Sequence, residues 1–254
     1  MIINTTINIL GGLPDWNLAI HLLSKNHGEV DEPNNFQAYT AIKTTRSIER
    51  FERAINDTLI RFQQENIESL FAPPLLERGI SPETRILLFW NASHNNDLLG
   101  YLNRNVYFPA FYSGRITIKS NEVMACIQEL NKQKEIQSDG WADYTIEKVA
   151  SKYLTLLGKF GLMEGSQTKT ILHPNLDESL FVIFVYWLCA VAEKPNLLQS
   201  PWLEYAFSEK QTFVERLSQK KYAKYFDFTY TGDNLKIEPS RPYQEIYNDL
   251  SNSR

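Results

Sequence analysis

A chain of 254 residues, 43% hydrophobic and 13% aromatic, holds enough apolar material for one large core or two modest ones, which excludes a disordered or fibrous protein. Its formal charge of -4 opposes general attraction to polyanions, so any contact with nucleic acid must come from local basic patches. Only two cysteines occur, Cys126 and Cys189, each inside an apolar helical pattern, which suits buried thiols in a reducing compartment and not a disulfide framework.

The first residues carry neither the basic start nor the small-residue cleavage site of a signal peptide, and the expectation is a cytoplasmic protein. Residues 2–10 are apolar and β-branched enough for a short strand, and Gly11-Gly12, with no Lys-Ser/Thr behind them, read as a turn and not as a phosphate loop. A helix over 14–25 and a loop over 27–36 follow. Residues 41–65 are helical in period, with Ile48, Phe51, Ile55, Leu59 and Phe62 on the apolar side. Beside that stripe Arg46, Arg50 and Arg53, at i, i+4 and i+7, share a face, and Thr44, Thr45 and Ser47 at the helix start add donors for phosphate oxygens. The same face equally suits a solvated surface on which Glu49, Glu52 and Asp57 neutralise the arginines.

Pro73-Pro74 and Gly79 are expected to break the chain before Ser81-Pro82-Glu83 starts a helix over 83–93. A further helix over 98–107 is expected to end at Pro109. The aromatic group Tyr107, Phe108, Phe111 and Tyr112 reads as core, and Ser120 caps a helix over 121–132. Arg115 and Lys119, just outside that helix start, are placed to touch phosphate.

Residues 139–174 read as a long amphipathic helix followed by a tight hairpin. Ile146, Val149, Ala150, Tyr153, Leu154, Leu157 and Phe160 recur at three- and four-residue spacing, Asp143 is placed to cap the start, and Gly161 to stop the end. Turn-rich residues 164–167 then lead to a β-branched stretch over 168–172. A helix with such a wing suits DNA: Tyr144, Thr145, Lys148, Ser151, Lys152 and Thr155 would enter a major groove, and Lys169 on the wing would touch phosphate. A packed helix with a surface hairpin of no function fits the same pattern.

Residues 180–192 form an uncharged run whose 13 residues span about 20 Å as a helix, short of a hydrocarbon core of about 30 Å, so a buried central helix is expected and membrane insertion is not. Ser200-Pro201-Trp202 starts a short helix, Ser208 to Gln211 make a capping box for a helix ending near Tyr222, residues 225–237 read as a hairpin, and 242–250 as a last helix. His21, His27, His94 and His173 are scattered, and no HExxH, CxxC, P-loop or G-x-S-x-G occurs, so no metal, cofactor or enzymatic activity is expected.

Three stretches, TTRSIERFERAI (44–55), NNDLLGYLNRNVYFPAFYSGRITIKSNEVMACIQEL (95–130) and GWADYTIEKVASKYLTLLGKFGLMEG (140–165), together resemble the BrxA family of BREX bacteriophage-exclusion systems, and the likeness runs over most of the chain in order. The resemblance implies a non-enzymatic, mostly helical bacterial cytoplasmic protein that binds double-stranded DNA and works with other BREX components, among them a methyltransferase and large ATPases. By the same resemblance Arg46, Arg50, Arg115, Lys148 and Lys152 are candidate DNA contacts. The expected fold is mainly α: two helical subdomains with a winged-helix-like segment and small β-hairpins, divided into an N-terminal helical region (1–80), a helical core with the winged-helix-like segment (81–175) and a C-terminal helical region with a hairpin (176–254). The expected function is DNA binding in phage defence. The alternative is an adaptor that docks larger BREX components without touching DNA. The sequence carries no signal for oligomeric state or target sequence.

Overall fold

Two short helices, α1 (Thr6–Leu10) and α2 (Asn17–Asn26), open the chain in the computed structural model, which describes residues 3–28, 41–132 and 140–252. The strand expected over 2–10 is replaced by α1. Ile7 and Leu10 are both buried, and three residues apart they share a side in a helix but oppose each other in a strand. Beyond residue 28, the expected loop over 27–36 lies outside the described residues.

The described residues are mainly α-helical, with two small two-stranded antiparallel sheets, and divide into two units, residues 1–61 with 78–173 and residues 62–77 with 174–254. In the first unit α3 (Thr45–Thr58) starts where the Thr44 side chain accepts from the Ser47 amide at 3.3 Å. It stops well short of residue 65, where carbonyls at its end are taken by α5 (Pro82–Asn95). Asn91 donates to the carbonyls of Leu59 (2.9 Å) and Arg61 (3.1 Å), and Asn95, one turn on, to those of Thr58 (3.0 Å) and Arg61 (2.7 Å). Ser81 and Thr84 form a reciprocal capping box at the start of α5, with Pro82 in the first turn.

Asn96 caps α6 (Asp97–Leu102), which passes through a π-helical stretch, Asn103–Tyr107, into α7 (Phe108–Tyr112). Pro109 therefore does not end the helix. The wider turn lets the Phe108 amide bond back to Asn103, and proline, which has no amide hydrogen, sits in the first turn of the segment that follows. After α7 come α8 (Ser120–Lys132), α9 (Asp143–Lys159) and a hairpin of β1 (Met163–Glu164) and β2 (Thr170–Ile171).

A chain of buried hydrogen bonds ties three of these pieces together. The Tyr153 hydroxyl on α9 donates to the Asn103 side-chain oxygen (2.9 Å), the Asn103 amide donates to the Ser93 hydroxyl on α5 (2.9 Å), and that hydroxyl donates to the Phe89 carbonyl (2.7 Å). Phe89 packs on Tyr107, Phe108 and Phe160 with ring centroids 5.6–6.5 Å apart. Burial pushes the Tyr107 hydroxyl well above its ordinary pKa, with the neighbouring Tyr112 adding to the effect.

In the second unit, α4 (Glu65–Arg78) contains Pro73 and Pro74 inside the helix, where a break was expected. Two backbone bonds are given up there, and burial of Leu70, Phe71, Ala72, Pro74 and Leu75 compensates. Its neighbour α10 (Glu178–Val191) is capped by Asp177 and buried around its whole circumference, from Leu180 to Leu188. Among the described residues no helix is long and apolar enough to cross a membrane. Arg216 from α11 (Lys210–Leu217) donates to the carbonyls of Leu176 (2.7 Å) and Asp177 (2.9 Å) and lies 4.1 Å over the Phe181 ring. The cap position of α11 falls on Glu209, one residue after the expected Ser208, and Glu209 makes no side-chain cap bond. The pair β3 (Phe226–Tyr230) and β4 (Leu235–Pro239) forms the expected hairpin, and α12 (Tyr243–Ser251) closes the described chain.

Removing the hydroxyl in Tyr153→Phe takes away the hydrogen bond that Tyr153 gives to the buried Asn103 oxygen. The expected loss is about 1–3 kcal/mol, read as a lower urea midpoint with an unchanged slope.

Candidate functional site

Residues 116–118 run extended beside β2, so that Thr117 stands opposite Thr170. The Ile118 amide donates to the Lys169 carbonyl (3.3 Å) and the Ile171 amide to that of Ile116 (2.8 Å), giving three antiparallel stretches with β1. In chain order these elements are a helix, an extended stretch, two helices and a hairpin. The hairpin turn depends on Gly165, whose φ is +89° and whose added Cβ would lie 2.1 Å from the Thr168 carbonyl oxygen. Lys169 closes the same turn by donating from Nζ to the Gly165 carbonyl at 2.7 Å. At the helix side, Gly161 takes a left-handed φ of +80° and the Leu162 amide returns to the Leu157 carbonyl, which ends α9. Asp143 does not cap α9. It is the first helical residue, after Ala142, where its charge favours the positive end.

A groove of about 330 Å³ lies between the start of α8, the middle of α9 and the hairpin turn. Its polar lining includes Thr117, Ser120, Ser151, Thr155, Lys119 and Lys169, and no described carboxylate faces it. The Thr155 hydroxyl donates to the Ser151 carbonyl at 2.9 Å, and the remaining hydroxyls with the two ammonium groups form a set of donors suited to an anionic oxygen.

The eight cationic residues singled out from the sequence fall into five places. Lys119 and Lys169 meet at the groove. Lys148 is exposed on α9, its ammonium 5.9 Å from the centroid of the Tyr144 ring. Lys152 lies on the other edge of α9, half-buried where α1 crosses: a Cβ on Gly11 would stand 2.4 Å from the Lys152 carbonyl oxygen. Near it, burial and the positive charge of Lys152 lower the Lys159 pKa against the opposing effect of Asp15, and the Lys159 ammonium donates to the Leu13 carbonyl at 2.5 Å. Arg46, Arg50 and Arg53 are exposed on α3, and none is in an ion pair among the described residues.

Arg115 is engaged elsewhere. Its guanidinium holds Glu122 through two contacts of 2.8 and 2.6 Å and also donates to the Thr117 carbonyl. The hydrogen bond from Arg115 holds the Glu122 carboxyl below its ordinary pKa, so whatever this exposed pair adds to stability is present at neutral pH and lost as acid protonates Glu122. Thr117 and Gln167 line the groove without having been singled out from the sequence. The alternation Ile116-Thr117-Ile118 was the available signal for the extended stretch.

Residues 30–184, more than half of the chain, match the model of the BrxA family. The chain belongs to the BrxA family. Membership makes it a component of a BREX phage-defence system, working among other BREX proteins. No solved structure matches the chain.

In this BrxA-family chain the groove is only as well formed as the 165–169 turn. Gly165→Ala combines a positive φ with a backbone clash, at an expected cost of about 1–2 kcal/mol or more. Amide exchange at Ile118 and Ile171 is expected to quicken while that of α10 stays unchanged, which hydrogen exchange read residue by residue will test.

Proposed function

We propose that this BrxA-family chain is a non-enzymatic accessory protein that binds double-stranded DNA, with α9 entering the major groove and the hairpin turn lying on the flanking phosphates. The observation that carries this reading is the groove at the junction of α8, α9 and the turn, lined by Lys119, Lys169 and six serine and threonine residues with no described carboxylate, in a chain of net charge -4. The order of elements around it, two helices followed by a hairpin, supports a winged-helix reading, in which the second helix is the one presented to DNA. A helix of about 10–12 Å diameter matches a major groove of about 12 Å.

Within this reading the cationic residues differ in weight. Lys119 and Lys169 hold backbone phosphates beside α9, and Lys148 reaches from the exposed face. Arg46, Arg50 and Arg53 offer a separate phosphate-binding face on α3, while Lys152 contributes less from its packed position. Arg115 is occupied by Glu122 and contributes little directly. A role on duplex DNA implies a cytoplasmic protein.

The test is binding to a labelled duplex across a salt series. Each lost phosphate contact reduces the slope of log affinity against log salt by about 1. The paired variant Lys119→Glu with Lys169→Glu is expected to lose the most affinity, Arg46→Glu with Arg50→Glu less, and Arg115→Ala least. Absence of salt-sensitive binding by the unaltered protein would favour the adaptor reading, in which the same face docks a larger BREX component.

A further inference from the structure

Two large apolar side chains are well exposed among the described residues of the first unit, Ile116 (73%) on the extended stretch and Tyr144 on α9, and only Tyr144 lies on the helix read as entering the major groove. It is 72% exposed in the first turn of α9, and its ring lies on the side away from the buried Ile146, Val149 and Tyr153. Along the same strip follow the exposed Lys148 and Ser151, at i+4 and i+7, and the half-buried Thr155 at i+11. Lys148 lies over the ring, which steadies the aromatic side chain against the helix.

The charges around this tip decide what it faces. Asp143 and Glu147 are exposed beside Tyr144, and carboxylates repel phosphates, so the tip of α9 does not suit the DNA backbone. The carboxylate-free groove with Lys119 and Lys169 does. With phosphates at the groove, the N-terminal turn of α9 is left for base edges, which is where a recognition helix makes its base contacts. Of the four bases, thymine alone offers an apolar group in the major groove, its C5 methyl. An exposed aromatic ring is the complement of that methyl, while Ser151 and Thr155 stay with the groove and its phosphates.

We infer that Tyr144 is a specificity-determining residue that packs on thymine methyl groups in the major groove. The inference rests on the DNA-binding reading above and deepens it. It gives the protein a preference for duplexes with thymine at the contacted position, carried by one ring.

The experiment compares two duplexes of identical sequence, one containing thymine and one containing deoxyuridine throughout, which lacks only the methyl. The unaltered protein is expected to bind the thymine duplex about four-fold more tightly per contacted methyl, from the transfer free energy of such a group. Tyr144→Ala removes the ratio, and Tyr144→Phe keeps it because the ring remains. The high exposure of Tyr144 makes both variants compatible with the native fold. Equal affinity of the unaltered protein for both duplexes overturns the inference while leaving DNA binding intact, as does an unchanged ratio in Tyr144→Ala. Binding to neither duplex at low salt overturns the DNA-binding reading and this inference with it.

Discussion

Asn103 is the buried amide on which the first unit depends. An amide shut away from water must have its donors and acceptor met or it costs more than an apolar side chain would, and here both ends are met by side chains from other helices. Tyr153 fixes the rotation of α9 about its own axis, because its hydroxyl reaches Asn103 at only one setting of the helix. Ser93 fixes α5 by the same logic. The π-helical turn that begins at Asn103 is part of this arrangement, since it shifts the register of the helix and lets the chain continue through Pro109 towards the extended stretch at 116–118.

From that register follows the outer face of α9. With Tyr153 turned inward, Tyr144, Lys148, Ser151 and Thr155 turn outward, and the strip is bounded by the hairpin turn on one side and by α1 on the other. The charges sort themselves along these boundaries. Acidic side chains of the α9 tip stay away from the groove, and Glu122, which sits at the start of α8, is neutralised by Arg115. A chain with net negative charge can therefore carry a local field of the other sign, limited to within roughly a Debye length of about 8–10 Å by salt.

Much of this was legible in the sequence where the signal is local. The apolar stripe of α9 and its end at Gly161, the Ser81 cap of α5, the uncharged run of α10 and the hairpin of β3 and β4 all follow from spacing, caps and turn residues within a dozen positions. The prolines misled because their effect depends on surroundings: Pro73 and Pro74 are held in α4 by buried neighbours, and Pro109 is accommodated by a π turn that no local rule announces. The groove was legible only in parts. Lys119 and Lys169 are fifty residues apart, and they meet because 116–118 pairs with β2, a contact that depends on the folded chain. The engagement of Arg115 by Glu122 is likewise a matter of how a loop enters α8.

Gly11 shows how a missing side chain can act as a measuring device. Its Cα lies so near the Lys152 carbonyl that even one carbon more would force α1 away from α9, and α3, with its three arginines, packs against α1. The distance between the arginine face and the outer strip of α9 is thus calibrated by the absence of a methyl group. A fixed separation between two faces needs no added group to hold it, and in this fold the gauge is a single hydrogen atom at position 11.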